Sequence, residues 1–152
     1  MGSSSSSSAS AFGGSAGGWV KERFLRQRRY IADLTVNAED TNAIAVDVQM
    51  RTYAEDSTNE YVDADEAVAL EAHLVDANGK DALAAAWTMA ETGDGTEVST
   101  TAKPRLIVTS SSTGACQLTV TDVSGASTDT IYLFIRPLNA PGYTAYTALT
   151  FA

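Results

Sequence analysis

Apolar and polar side chains alternate along much of the chain after residue 30. An apolar residue occupies every second position in Ile44–Met50, and the same period of two recurs in Val68–Leu74 and Cys116–Val120. A period of two is typical of a β-strand that buries one face. Ile131–Ile135 is apolar on both faces, which favours a strand in the interior of a sheet.

These patterns predict an all-β domain. Seven candidate strands begin near residues 31, 43, 67, 105, 115, 130 and 144. Turn-forming residues such as Asn78-Gly79 and Ser124-Gly125 separate them, and no long helical pattern interrupts them, although Ala82–Met89 could make a turn. Short antiparallel strands in this number favour an immunoglobulin-like β-sandwich, and the lack of a Cys…Trp…Cys pattern argues against the antibody type.

The first thirty residues differ in composition from the rest. Residues 1–18 are mostly Ser, Gly and Ala, and such a tract buries too little to order by itself. Residues 19–30 place Val20 and Phe24 four positions apart and could form a helix of about three turns, which would order only by docking. The chain therefore divides into a flexible arm (1–18), a basic anchoring segment (19–30) and a β-sandwich (31–152).

The formal charge of −9 hides an asymmetry between these parts. Residues 1–30 hold five basic residues and one acidic residue, a charge of +4, whereas residues 31–152 hold five basic and eighteen acidic residues, a charge of −13. This separation predicts that the first thirty residues dock on a negatively charged surface while the acidic body faces solvent. A solvated basic helix is the plain alternative.

The residues expected to make this attachment are of two kinds. The apolar anchors are Trp19, Phe24 and Leu25, and the ionic anchors are Arg23, Arg26, Arg28 and Arg29. Charge alone would allow acidic protein, nucleic acid or an anionic membrane as the target. Nothing in the residues alone separates these three targets. No apolar run approaches the roughly 18 residues that a membrane span needs, which excludes an integral membrane protein.

The sequence offers little for catalysis or metal binding, so we expect no enzyme, no cofactor and no metal site. It has one cysteine, Cys116, and one histidine, His73, and it lacks a Gly-x-Gly-x-x-Gly or Walker phosphate loop. Alternation places Cys116 on the core face and His73 at the surface or rim. Residues 55–66 hold six carboxylates, for which a solvated loop is favoured over a calcium loop.

The aromatic residues of the body have two expected places. Trp87, beside Met89, is expected to fill a gap in the core or between the sheets. A second group lies near the C-terminus and consists of Tyr132, Phe134, Tyr143 and Tyr146. Ordinary packing is favoured for most of that group, and a patch for display or carbohydrate contact is the alternative.

Several segments toward the C-terminus follow each other as in a known domain family. Val75–Lys80 is typical of a strand that ends in a turn, Val108–Val120 of two strands around a glycine, and Thr130–Ile135 with Leu149–Phe151 of two closing strands. Over roughly residues 65–152 the chain thereby resembles the bacterial immunoglobulin-like domains of the invasin and intimin kind. The resemblance implies the fold and carries over no catalytic residue.

A single domain of this kind behind an N-terminal arm is similar to virion accessory proteins of tailed bacteriophages. That resemblance implies a structural virion protein, such as a capsid decoration or head-fibre protein, in a homo-oligomer or symmetric array. Its partners would be other virion proteins such as the major capsid protein, rather than nucleic acid or a membrane. A tail or connector component, an adhesin-like domain that recognises a cell surface or glycan, and an enzyme with a concave polar pocket are the alternatives.

Overall fold

Ten β-strands make up the described part of the chain. The computed structural model describes residues 30–53, 60–82, 86–98, 104–140, 142 and 144–152. The strands are β1 (Tyr30–Val36), β2 (Ala43–Tyr53), β3 (Tyr61–Asp63), β4 (Ala69–Val75), β5 (Trp87–Glu91), β6 (Thr96–Glu97), β7 (Arg105–Thr109), β8 (Ala115–Asp122), β9 (Thr130–Pro137) and β10 (Ala145–Thr150). Among these residues there is no helix, and therefore none that could cross a membrane.

The strands form two antiparallel sheets of five strands each. In the first sheet the order is β1-β2-β8-β5, and the short β3 pairs with the far end of β2, beyond β8. In the second sheet the order is β10-β9-β4-β7-β6. The all-β architecture predicted from the alternating pattern is confirmed, and the two sheets are consistent with a β-sandwich.

Alternation along the strands sends one set of side chains into the space between the sheets. Val46 of β2 lies opposite Leu118 of β8, Leu74 of β4 lies opposite Leu133 of β9, and all four are buried. Removing such side chains from water contributes roughly 25 cal/mol per Å² of apolar surface, so this shared core is the main source of stability.

Trp87 and Cys116 occupy the core positions that the sequence predicts for them. Trp87 packs on Phe151 with ring centroids 4.8 Å apart, which joins β5 of the first sheet to the segment after β10 of the second. Cys116 is 5% exposed on the inner side of β8. Both side chains therefore contribute apolar surface to the core.

The starts of the seven predicted strands lie within two residues of β1, β2, β4, β7, β8, β9 and β10. The pattern does not predict β3, β5 and β6. Strands β3 and β6 have three and two residues, which is too short to display a period. Strand β5 corrects the predicted turn at Ala82–Met89: Trp87 and Met89 are extended because alternation places both in the core, while residues 83–85 lie outside the described residues.

Two of the predicted turns are confirmed by backbone geometry. Gly79 has a φ of 77° in the turn after β4, and Gly125 has a φ of 69° in the turn between β8 and β9. Glycine adopts this left-handed conformation without the steric cost that a Cβ atom imposes. The Asn78-Gly79 and Ser124-Gly125 signals therefore mark the ends of β4 and β8 correctly.

Candidate functional site

The predicted anchoring residues lie outside the described residues. They are Trp19, Arg23, Phe24, Leu25, Arg26, Arg28 and Arg29. The described chain begins at Tyr30, which the sequence assigns to the basic segment but which is the first residue of β1, opposite Thr52. The Tyr30 hydroxyl donates a hydrogen bond to Glu66 Oε2 at 2.6 Å, so the basic segment joins the body beside an acidic residue.

The outer side of the first sheet carries a polar surface, which we call the acidic face. It consists of Asp33, Asp47, Gln49, Arg51, Asp94 and Gln117, which border a groove of about 450 Å³. The Arg51 guanidinium forms ion pairs with Asp33 at 2.5 Å and with Asp63 at 3.6 Å. With three carboxylates and one guanidinium, the face keeps a negative charge.

Amide side chains hold Asp47 in the middle of the acidic face. Gln117 donates to Asp47 Oδ1 at 2.8 Å, and Asn37 donates to Asp47 Oδ2 at 3.1 Å. The hydroxyl of Thr92 donates to Gln117 Oε1 at 2.8 Å and lies 2.7 Å from the hydroxyl of Thr119. The face is a network of hydrogen bonds across β2 and β8 that ends at the loop after β5.

The loop after β5 is built around the carboxylate of Glu91. Its Oε2 atom accepts hydrogen bonds from the backbone N–H groups of Gly93 at 3.0 Å, Gly95 at 2.9 Å and Gln117 at 3.1 Å. A Cβ atom on Gly95 would lie only 2.9 Å from Cys116 Cβ and from the Thr109 carbonyl oxygen, so the close approach of the loop requires glycine. Burial, and then the charge of Glu91, raises the pKa of the Cys116 thiol to about 12.

The outer side of the second sheet has a different character, and we call it the aromatic face. It consists of Tyr132, Phe134, Tyr146, Arg105 and Arg136, with Glu71 and His73 beneath them on β4. The rings of Phe134 and Tyr146 stack with centroids 5.3 Å apart and planes at 18°. Tyr146 remains 67% exposed, so this stack faces the solvent.

A charged cluster lies at the centre of the aromatic face. Glu71 is only 8% exposed, and its carboxylate accepts a hydrogen bond from Arg136 Nε at 2.9 Å and lies 3.6 Å from the Arg105 guanidinium. Arg136 also donates to the Ala140 carbonyl oxygen at 3.2 Å. Because two arginines flank it, the nearly buried carboxylate keeps its charge compensated.

His73 points to the outer side of β4, as the alternation predicts, but it is not at the surface. It is 8% exposed, because Arg105 and Phe134 are its cross-strand neighbours and cover it, and its Nε2 atom lies 2.6 Å from Asp81 Oδ1. The expectation of an exposed histidine is corrected in this respect. Long side chains on neighbouring strands can bury an outward-pointing residue.

Sequence reasoning missed the cluster of Glu71 with Arg105 and Arg136. Glu71 and Arg136 are 65 positions apart, and only the strand register places them side by side. The available signal was the occurrence of charged residues at the outward positions of two otherwise apolar strands.

The acidic loop at residues 55–66, weighed above as a calcium loop, is described only in part. Residues 55–59 of that loop lie outside the described residues. Within the described ranges, no three His, Cys, Asp or Glu side chains come together in a way that could hold a metal ion. No protein-family model matches the chain, and no curated protein matches it significantly.

Proposed function

We propose that this chain is a non-enzymatic structural protein of a phage virion, a capsid decoration or head-fibre-type protein attached through its first thirty residues. The observation that carries the proposal is the separation of charge between residues 1–30, at +4, and residues 31–152, at −13. A cationic segment of this kind is drawn to an acidic protein surface, such as that of a major capsid protein, while the acidic body is repelled from it.

The connectivity of the two sheets supports an immunoglobulin-like fold as part of this proposal. The constant-type immunoglobulin domain has strands A, B, E and D in one sheet and G, F and C in the other. In chain order and in sheet position, β1, β2, β4, β5, β8, β9 and β10 correspond to A through G. Strands β3, β6 and β7 are additions to that plan, and β7 and β6 extend the second sheet beyond β4.

The extent of the core supports a division of labour between segment and body. The described core cluster runs from Ala32 to Phe151, so the sandwich encloses its own apolar interior. The segment before Tyr30 joins β1, an edge strand of the first sheet. Many copies bound through such segments to a symmetric shell would be retained by avidity without a large interface for each copy.

The test is co-sedimentation of the protein with virus particles. We expect the full chain to bind, and a variant that lacks residues 2–29 to remain folded by circular dichroism but to stay in the supernatant. The deletion stops before Tyr30 because Tyr30 pairs with Thr52 in the first sheet. A full-length variant with Arg23, Arg26, Arg28 and Arg29 changed to Gln separates the contribution of charge from that of chain length.

Binding to particles should also weaken as the salt concentration is raised, because salt screens exposed charges. Their reach is about 8 Å at physiological ionic strength and becomes shorter as salt is added. Particle binding that survives the deletion unchanged would contradict attachment through the N-terminal segment. Binding that survives the four Arg→Gln changes but not the deletion would show that these arginines are not required and that other residues within 2–29, such as Trp19, Phe24 and Leu25, make the attachment.

A further inference from the structure

The aromatic face gathers positive charge on a body that is otherwise strongly acidic. In the described residues after Tyr30 the basic side chains are Arg51, Lys80, Arg105 and Arg136. Arg51 is paired with carboxylates on the acidic face, whereas Arg105 and Arg136 share the single carboxylate of Glu71. The carboxylate of Asp81, 2.6 Å from His73 Nε2, balances the second arginine, so the aromatic face is close to neutral on a body that is otherwise strongly acidic.

Arg105 is the arginine placed to meet a ligand. Its side chain is 50% exposed and approaches Glu71 only loosely, at 3.6 Å, whereas Arg136 is 29% exposed and held at 2.9 Å. A guanidinium has five N–H donors in a planar fork that fits a carboxylate. Most donors of Arg105 thus remain available to a second anion.

The aromatic stack offers a different kind of contact a few strands away. Tyr146 presents an exposed ring that Phe134 supports from one side at 5.3 Å. An aromatic ring has a negative face that attracts polarised C–H groups, and the hydroxyl at its edge can form hydrogen bonds. A sugar ring has C–H bonds on its faces and hydroxyls at its edge, so it matches this surface.

Register places the two contacts at the ends of one row. Arg105, His73, Phe134 and Tyr146 lie opposite one another on β7, β4, β9 and β10. Neighbouring strands are about 4.8 Å apart, so the row is about 14 Å long. Between its ends, His73 is buried and Phe134 is stacked on Tyr146. A single row of side chains offers much less surface than the roughly 800 Å² that each partner buries in a protein–protein interface.

We propose that the aromatic face binds an anionic oligosaccharide, with a sugar ring on Tyr146 and a sugar carboxylate on Arg105. The row suits a narrow chain longer than one sugar. The positive charge of Arg105 favours a carboxylated sugar over a neutral one. The carboxylates of Glu71 and Asp81 repel such a ligand in part, and Arg105 and Arg136 compensate for their charge. The site does not depend on the proposed attachment to a virion.

The experiment measures binding of oligogalacturonate, a chain of carboxylated sugars, by titration calorimetry. Because the basic N-terminal segment also attracts polyanions, the reference is the full-length variant with Arg23, Arg26, Arg28 and Arg29 changed to Gln. In that background we expect Tyr146→Ala and Arg105→Gln each to weaken binding by about tenfold or more. Thr35→Ala, at an exposed position on the outer side of β1, serves as the matched control and should leave binding unchanged.

Salt and a neutral ligand sharpen the assignment. Raising the salt concentration should weaken oligogalacturonate binding by the reference protein and should have much less effect on the Arg105→Gln variant. A neutral cello-oligosaccharide should bind at least about tenfold more weakly than oligogalacturonate.

Three results would overturn the proposal. They are the absence of oligogalacturonate binding in the reference protein, binding that survives both Tyr146→Ala and Arg105→Gln, and equal binding of the neutral oligosaccharide. Melting curves confirm that each variant is folded. None of these outcomes bears on particle attachment, which the deletion of residues 2–29 tests separately.

Discussion

The two outer faces of the molecule are both formed by the outward-pointing residues of antiparallel strands, but their surfaces differ. On the acidic face, the residues that flank β2 are short or polar, such as Thr35, Ala115 and Gln117, and the groove between them is open to water. On the aromatic face, Phe134 and Arg136 flank β4 and cover its outward residues. Glu71 and His73 are consequently as buried as several members of the core.

The difference shows that alternation decides direction and that neighbours decide exposure. Asp47 and Glu71 are both outward-pointing carboxylates on interior strands, but one contacts amides in a solvated groove and the other contacts arginines under cover. The energetic weight of a charge depends on how far it is removed from water.

The largest expected effect concerns Cys116, which lies beneath the loop at the border of the acidic face. With a pKa raised from 9.0 to about 12, the folded protein has about a thousandfold less thiolate at pH 8 than an unperturbed thiol. We expect alkylation by iodoacetamide to be slower by about that factor in the native protein than in urea. A native rate within about tenfold of the unfolded rate would show that the loop opens and exposes the thiol.

Truncating a buried side chain should lower the free energy of unfolding to a similar extent on the inner faces of both sheets, in contrast to changes on the outer faces. Leu118 of the first sheet and Leu133 of the second are both fully buried. Leu118→Ala and Leu133→Ala should each lower the free energy of unfolding by about 2–5 kcal/mol, through lost apolar burial and a residual cavity. Urea denaturation measures both, with Thr35→Ala expected to change stability by less than about 0.5 kcal/mol. If either Leu118→Ala or Leu133→Ala left the free energy of unfolding unchanged, the two sheets would not share one core.

On the outer faces, the same chemical change should have unequal effects. Glu71→Gln removes the charge that compensates Arg136 and Arg105, and we expect a loss of about 1–2 kcal/mol, because both arginines are partly solvated. Asp47→Asn should cost less than about 0.5 kcal/mol in the open groove. Urea titrations at pH 7 compare the two variants. Equal losses would mean that the cover over β4 has no energetic consequence.

The sequence could predict the strands that carry a long alternating pattern and the turns marked by glycine. Val68–Leu74 and Cys116–Val120 reveal their buried faces directly, because burial of one face imposes a period of two on the residues themselves. Strands as short as β6 leave no such trace. The first thirty residues are assigned by charge and composition alone, and their role stays a prediction.

The sites on the body depend on register, which a single sequence does not contain. Glu71 meets Arg136 only because β4 pairs with β9 in one particular alignment, and Tyr146 meets Phe134 for the same reason on β10. The aromatic residues near the C-terminus were identifiable as a group, and ordinary packing was favoured for most of them, whereas Tyr146 is 67% exposed and Tyr143 lies outside the described residues. Their exposure depends on which residues lie beside them on neighbouring strands.

The smallest expected effect concerns a carboxylate that belongs to neither outer face. Asp122, 4% exposed at the end of β8, accepts hydrogen bonds from the Ser124 hydroxyl at 2.7 Å and from the backbone N–H groups of Ser124 and Ser127 at 3.0 and 2.8 Å. Burial by itself would raise the pKa of Asp122, but these hydrogen bonds favour the charged form more strongly and lower it below 3.8.

The pKa of Asp122 is lower in the folded protein than in the unfolded chain, so the native state binds fewer protons. The stability that this difference contributes is present above pH 3.8 and is lost as the pH falls through the folded pKa. Melting temperatures measured from pH 5 downward should therefore fall less steeply for Asp122→Asn than for the unchanged protein. Ser124→Ala, which removes the hydroxyl donor but keeps the backbone N–H, should give an intermediate slope. Parallel curves for all three proteins would mean that this turn, which joins the two sheets, does not hold the carboxylate in its charged form.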